Sequence, residues 1–255
     1  MILTIDIGNT NSVFGVFKGK ELLTSWRIHS NSSATEDEMG IALLSFLREK
    51  GIPREEITGV IVSSVVPPLM PTLERMFPNY LGLEAMIVGP GIKTGMPIKY
   101  ENPKEVGSDR IVNGVAAYEK YGGPLIVVDF GTATTFDALA ADGAYLGGAI
   151  APGVWISMEA LFQRTSKLPR IDLIRPESVI GRNTVNSIQA GIHFGTIGLV
   201  KEIITRMKGE LGGDVGVVAT GGHAAMIAEE TDLIQVVDPL LTLEGLRIIY
   251  ERNRQ

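Results

Sequence analysis

Two stretches decide the reading of this chain: Leu3–Phe14, LTIDIGNTNSVF, and Ile126–Phe136, IVVDFGTATTF. Each is an apolar run, then Asp, an apolar residue, Gly, and a set of Thr, Asn or Ser. The two aspartates, Asp6 and Asp129, stand 123 positions apart. A carboxylate closing a buried strand is costly unless something positive lies beside it. The glycine lets the backbone turn tightly and approach a ligand. Thr10, Asn11 and Ser12, or Thr132, Thr134 and Thr135, then offer hydroxyls and amide N–H groups to phosphate oxygens. One such turn alone is better read as a strand ending in an Asx turn. Two in register, each followed by another strand, point to a duplicated unit gripping a nucleoside triphosphate, with the Asp side chains near its metal.

Working outward, Ile2–Ile5 reads as a buried strand, with Val13–Phe17 and Leu22–His29 as hairpin partners across short turns. Ser33 or Thr35 caps a helix through Glu49, with Met39, Leu43, Leu44, Phe46 and Leu47 on one face. Gly59–Val66 is a β-branched strand stopped by Pro67-Pro68, followed by a short helix through Phe77 and a strand at Glu84–Val88. Gly89–Pro103 is a Gly/Pro-rich loop and Ser108–Tyr121 a helix; Gly122-Gly123-Pro124 marks a boundary. The first pattern then restarts: strands at Leu125–Asp129, Thr134–Leu139 and Ala144–Ile150, and helices at Trp155–Thr165 and Ser178–Lys208. Strands at Val215–Ala219 and Ile234–Val237 and a closing helix at Leu240–Asn253 complete it. The expected domains are residues 1–122 and 123–255, the last helix packing back on the first half.

The chain has 255 residues, 45% hydrophobic and 20% charged, the make-up of an ordinary globular protein. Net charge is −6 and no basic cluster appears, which argues against a nucleic-acid partner. The absence of cysteine excludes disulfides, thiolate metal sites and a Cys nucleophile. No apolar window is long enough for a membrane span, and the N-terminus runs into a strand pattern without a basic leader, so a cytoplasmic protein is expected. His29, His193 and His223 are too scattered for a metal site.

The paired turns, with Thr220-Gly221-Gly222, resemble the superfamily of actin, sugar kinases and heat-shock ATPases. Five strings fall in the order seen in type III pantothenate kinases: Asp6-Ile7-Gly8-Asn9-Thr10, Gly107-Ser108-Asp109-Arg110, Asp129-Phe130-Gly131-Thr132-Ala133-Thr134-Thr135, Gly147-Gly148-Ala149-Ile150-Ala151-Pro152-Gly153 and Gly181-Arg182-Asn183-Thr184. The resemblance covers the whole chain. It implies an α/β, duplicated ribonuclease-H-like or actin-like ATPase fold: two halves with mixed five-stranded sheets flanked by helices, and a cleft between them. It implies ATP-dependent phosphorylation of pantothenate, the first step toward coenzyme A. The alternatives are a phosphohydrolase of the same superfamily and a non-catalytic regulatory homologue.

Asp109 is the candidate general base. It lies in the first turn of the helix predicted from Ser108, near amide N–H groups and beside Arg110; both features are expected to keep it ionised. From spacing alone it also reads as a helix-capping Asp. By resemblance, ATP lies along Asp6, Ile7, Gly8, Asn9, Thr10, Asn11, Ser12 and Val13, and on Thr132. Pantothenate meets Tyr100, Gly107, Ser108, Asp109, Arg110 and Thr184, the last from a partner subunit. Arg110 suits bidentate recognition of an anion, either the pantothenate carboxylate or the γ-phosphate. Mg²⁺ accompanies ATP, with Asp6 holding it directly or through water. By resemblance a monovalent cation, K⁺ or NH₄⁺, sits at Asp129, and relatives are homodimers. The apolar face of the long helix (Ile188, Ile192, Ile197, Val200, Ile203 and Ile204) is expected to be covered partly by the partner.

Overall fold

The computed structural model describes residues 1–254 and divides the chain into two compact units. The first holds Met1–Met96, Glu101–Ala116 and the chain from Leu240 onward; the second holds Pro97–Tyr100 and Ala117–Pro239.

In the first unit, β1 (Ile2–Ile7), β2 (Asn11–Lys18) and β3 (Glu21–His29) form an antiparallel meander. β4 (Gly59–Ser64) and β5 (Ala85–Ile87) join parallel, giving the order β3-β2-β1-β4-β5. Leu3, Ile5 and Ile7 alternate onto one face with Val60 and Val62, where α1 (Glu36–Glu49) and α2 (Met70–Leu81) seal them with Leu43, Leu47, Leu73, Met76 and Phe77. Each such side chain contributes about 1.5–3 kcal/mol by leaving water. α1 opens on a capping box: Thr35 Oγ1 accepts the Glu38 N–H while the Glu38 carboxylate accepts the Thr35 N–H. α2 runs beyond Phe77, through Pro78, to Leu81. Fully buried Leu73, Met76 and Phe77 hold it, and Gly82, left-handed at φ 67°, closes it. On the opposite face lies α7 (Leu241–Arg254), packed on β1, β2 and β4. Its Leu243 seats against Gly15, where an added Cβ would lie 2.9 Å from Leu243 Cδ1.

The second unit repeats this plan. β6 (Leu125–Phe130), β7 (Ala133–Leu139) and β8 (Tyr145–Pro152) are antiparallel, while β9 (Gly216–Gly221) and β10 (Val236–Val237) join parallel. The order β10-β9-β6-β7-β8 is the first sheet read from its other edge. Asp6 stands between antiparallel Val13 and parallel Ser63, and Asp129 between antiparallel Thr135 and parallel Thr220. The two aspartates therefore occupy the same position on duplicate central strands. α4 (Val154–Arg164), α5 (Thr184–Leu211) and α6 (Ala224–Ala228) complete the unit.

Two expectations about the long helix need correction. It starts at Thr184, not Ser178, because Asn183 caps it: Asn183 Oδ1 accepts the Asn186 N–H at 2.8 Å. Its apolar face is largely covered from within: Ile197, Val200 and Ile204 pack with Ile126, Val128 and Phe136 of their own unit, and Ile188 is also buried.

Candidate active site

In the first unit the turn after β1 is closed by Gly8 N–H donating to Asn11 C=O at 3.0 Å. Asn9, Thr10 and Asn11 are exposed there, Asp6, Gly8 and Val13 half-buried. Ile7 is fully buried in the core, so only its backbone is available to a ligand. Ser12 is also buried, its hydroxyl 2.8 Å from that of Ser30.

The same sheet positions the candidate base. Ser63 lies beside Asp6 in the ladder, and its hydroxyl meets the Ser108 hydroxyl at 2.9 Å; Ser108 Oγ also lies 3.2 Å from the Ser64 carbonyl. This tether fixes the first turn of α3 (Ser108–Tyr121) at the carboxyl end of β4, the end at which Asp6 closes β1. Asp6, Ser108, Asp109 and Arg110 are thus brought to one end of one sheet. Asp109 Oδ1 accepts the Arg110 N–H at 2.8 Å. Gly107 serves that carboxylate, since a Cβ there would lie 2.5 Å from Asp109 Oδ1.

The influences expected to keep Asp109 ionised are opposed by its burial. Burial pushes its carboxyl above the ordinary carboxylate range, and the N–H and charge of Arg110 pull the other way without prevailing. Arg110 is itself buried, unlike an ordinary surface arginine.

In the second unit, Asp129 is half-buried at the end of β6, and Gly221 makes room for it. At φ 92°, Gly221 would place a Cβ 2.6 Å from Asp129 Oδ1. Thr132 is held by its carbonyl, which accepts the Gly153 N–H at 3.2 Å. Tyr100 lies on the edge of this unit. The Lys99 N–H donates to the Tyr145 carbonyl, and the Tyr145 N–H donates to that of Pro97, both at 2.8 Å. The Tyr100 ring lies beside Gly147, whose φ of 125° favours glycine and where an added Cβ would meet the ring at 3.4 Å. Thr184 is exposed on the first turn of α5, lining a groove with Leu161, Arg182 and Ile192. Sequence reasoning missed Ser30, Ser63 and the reasons for Gly147 and Gly153. The glycines were visible as a string, but which atoms they make room for depends on the fold.

The oxygen-rich donor set suits a hard cation. Among the described residues no group of three or more His, Cys, Asp or Glu could hold a metal by itself. The apolar cavity of about 640 Å³ beside α1, lined by Ile41, Leu44, Leu47, Ile52 and two arginines, contains none of these residues.

Duplicated sheets, each with an acid closing its central strand before a glycine turn, are the plan of the actin and sugar-kinase fold class. A crystal structure described as a Baf family transcriptional activator from Campylobacter jejuni shares this fold, at TM-score 0.62 and 21% identity over 99% of this chain and 98% of that one. So does the activator of 2-hydroxyisocaproyl-CoA dehydratase from Clostridium difficile, solved with bound ADPNP, at TM-score 0.58 and 16% identity over 99% and 97%. A type III pantothenate kinase of Geobacter sulfurreducens is 58% identical over 100% of both chains. The family model for type III pantothenate kinase matches residues 2–206, and the chain belongs to that family.

Proposed function

We propose that this chain catalyses the reaction of its family, transfer of the γ-phosphoryl group of ATP to the terminal hydroxyl of pantothenate, with Asp109 as general base. The observation that carries the role of Asp109 is the Ser63–Ser108 tether, which sets it at the sheet end that Asp6 closes. Asp109 takes the hydroxyl proton as the oxygen attacks the γ-phosphorus and the bond to the bridging oxygen breaks, releasing ADP. Such help contributes about 10²–10⁴-fold. Arg110 is placed to meet an anionic oxygen of the substrates. Tyr100, Gly107, Ser108 and Thr184 contribute to the pantothenate site, and Asp6–Val13 with Thr132 to the nucleotide site. Membership of a kinase family speaks against the hydrolase and regulator alternatives.

A divalent ion, taken as Mg²⁺, would neutralise phosphate charge, with Asp6 holding it directly or through water. K⁺ or NH₄⁺ would lie at Asp129, where it offsets the carboxylate without occupying the octahedral site. We place the reaction in the cytoplasm, where ATP is; among the described residues no helix is long and apolar enough to cross a membrane. The test is formation of 4'-phosphopantothenate from ATP, pantothenate, Mg²⁺ and K⁺. Product should form, and less of it when Na⁺ replaces K⁺. No product would overturn the reading, and indifference to the monovalent ion would remove the Asp129 site.

A further inference from the structure

Ser30 follows β3 and lies outside every string that marked the site, yet three groups of the first turn converge on it. Its hydroxyl donates to the Gly8 carbonyl at 2.7 Å, its N–H donates to the Thr10 carbonyl at 2.9 Å, and its oxygen lies 2.8 Å from the Ser12 hydroxyl. A hydroxyl carries one proton. Since the Gly8 carbonyl can only accept, the Ser30 proton is spent there, and Ser12 is the donor in the Ser12–Ser30 pair. The Ser12 proton is therefore directed inward, where the side chain is 2% exposed, and not at a ligand.

The consequence is electrostatic. A turn that receives a polyphosphate must present N–H groups and turn its carbonyl oxygens away. In a trans peptide the C=O and the following N–H point in opposite directions. Anchoring the Gly8 carbonyl on Ser30 therefore aims the Asn9 N–H away from Ser30, and the Thr10 carbonyl is drawn to the Ser30 side as well. We propose that Ser30 is a positioning residue for nucleotide binding, holding the carbonyls of Gly8 and Thr10 and the hydroxyl of Ser12 so that the turn faces the triphosphate with its N–H groups. This rests on the reading that the turn after β1 receives the phosphates.

The test compares wild type, Ser30→Ala and Ser30→Thr, using MgATP titration by calorimetry together with separate KM values for ATP and pantothenate. Ser30→Ala removes both hydroxyl bonds and should weaken MgATP binding and raise the KM for ATP about three- to tenfold, the effect of releasing the Gly8 carbonyl. The KM for pantothenate should stay within about twofold. Ser30→Thr, which keeps the hydroxyl, should restore binding. Ser30→Cys, with a weak donor of similar size, asks the same question should the alanine variant fail to fold, and should fall between the two. Unchanged MgATP affinity in Ser30→Ala, or both KM values rising together, would overturn the role of Ser30 alone. Wild-type protein that binds no MgATP would overturn the phosphate reading and this proposal with it.

Discussion

Asp109 stands under two opposed influences, and their balance sets its chemistry. Burial raises its proton affinity, while the Arg110 N–H and guanidinium lower it, and burial prevails. A base with a raised pKa is a stronger acceptor, and works best when that pKa approaches the operating pH. The acidic limb of kcat/KM should therefore fall above the ordinary carboxylate range, with activity lost as pH drops through the raised value. The same shift governs stability. The folded state binds this proton more tightly than the unfolded chain does, so its contribution to stability is full below the unfolded pKa. It is lost as pH rises from there through the folded value. Once ionised, the buried carboxylate is a net cost to the fold. Asp109→Asn should lose about 10²–10⁴-fold in kcat, while its melting temperature at pH 7 equals or exceeds that of wild type. A melting temperature well below wild type would show that the charge is stabilising and that lost activity reflects the fold.

At the scale of elements, the two phosphate turns are braced by different means. The first is held by Ser30 and the second by the start of α4, where the Gly153 N–H donates to the Thr132 carbonyl at 3.2 Å. A Cβ on Gly153 would lie 2.2 Å from that oxygen and 2.6 Å from the Gly131 carbonyl, so the backbone of the turn must move. Gly153→Ala should raise the KM for ATP about tenfold or more while far-ultraviolet circular dichroism is unchanged; an unchanged KM would show that the turn tolerates the shift. The duplicated elements were legible because Asp, Gly and the hydroxyl residues after them are dictated by chain geometry within a few positions. β1, β6 and α3 follow from their own apolar periods and caps. What was not legible came from distant parts of the chain. Pro78 gave no sign that buried neighbours would carry α2 past it. Ser178 reads as a helix start from the sequence alone, but the capping competition is won by Asn183. Ser30 and Ser63 look like unremarkable hydroxyl residues until the sheet sets them beside Gly8 and Ser108. The upward pull on the Asp109 pKa is not legible in the sequence, because sequence neighbours reveal local charges and not depth of burial.

For the whole molecule, the question is what covers the apolar surface that each chain leaves open. Of the residues expected to reach a partner, Ile197, Val200 and Ile204 are consumed by the core of their own unit and Ile188 is buried, while Ile192 and Ile203 are half-buried. Exposed hydrophobics lie elsewhere in that unit: Trp155 and Ile156 on α4, Ile174, Val179 and Ile180 before α5, and Val185 on its first turn, with Ile180 77% exposed. Scattered apolar side chains are normal on a surface, but a concentration along α4 and the segment leading into α5 is the kind that marks an association site. We propose that a second copy covers it in a symmetric dimer. A stable interface of this kind buries about 800 Å² per partner. Thr184 and Arg182 lie within the same stretch of chain, which would couple any contribution they make to the pantothenate site to assembly. Wild-type protein should sediment as a dimer at micromolar concentration, and Ile180→Glu should shift it toward monomer. If Thr184 acts only from the partner, the KM for pantothenate in Ile180→Glu should rise with dilution over the range in which the dimer dissociates, while MgATP affinity holds. A wild-type monomer at micromolar concentration would remove the dimer. A dissociated Ile180→Glu protein with an unaltered KM for pantothenate would show that each chain builds its substrate site alone.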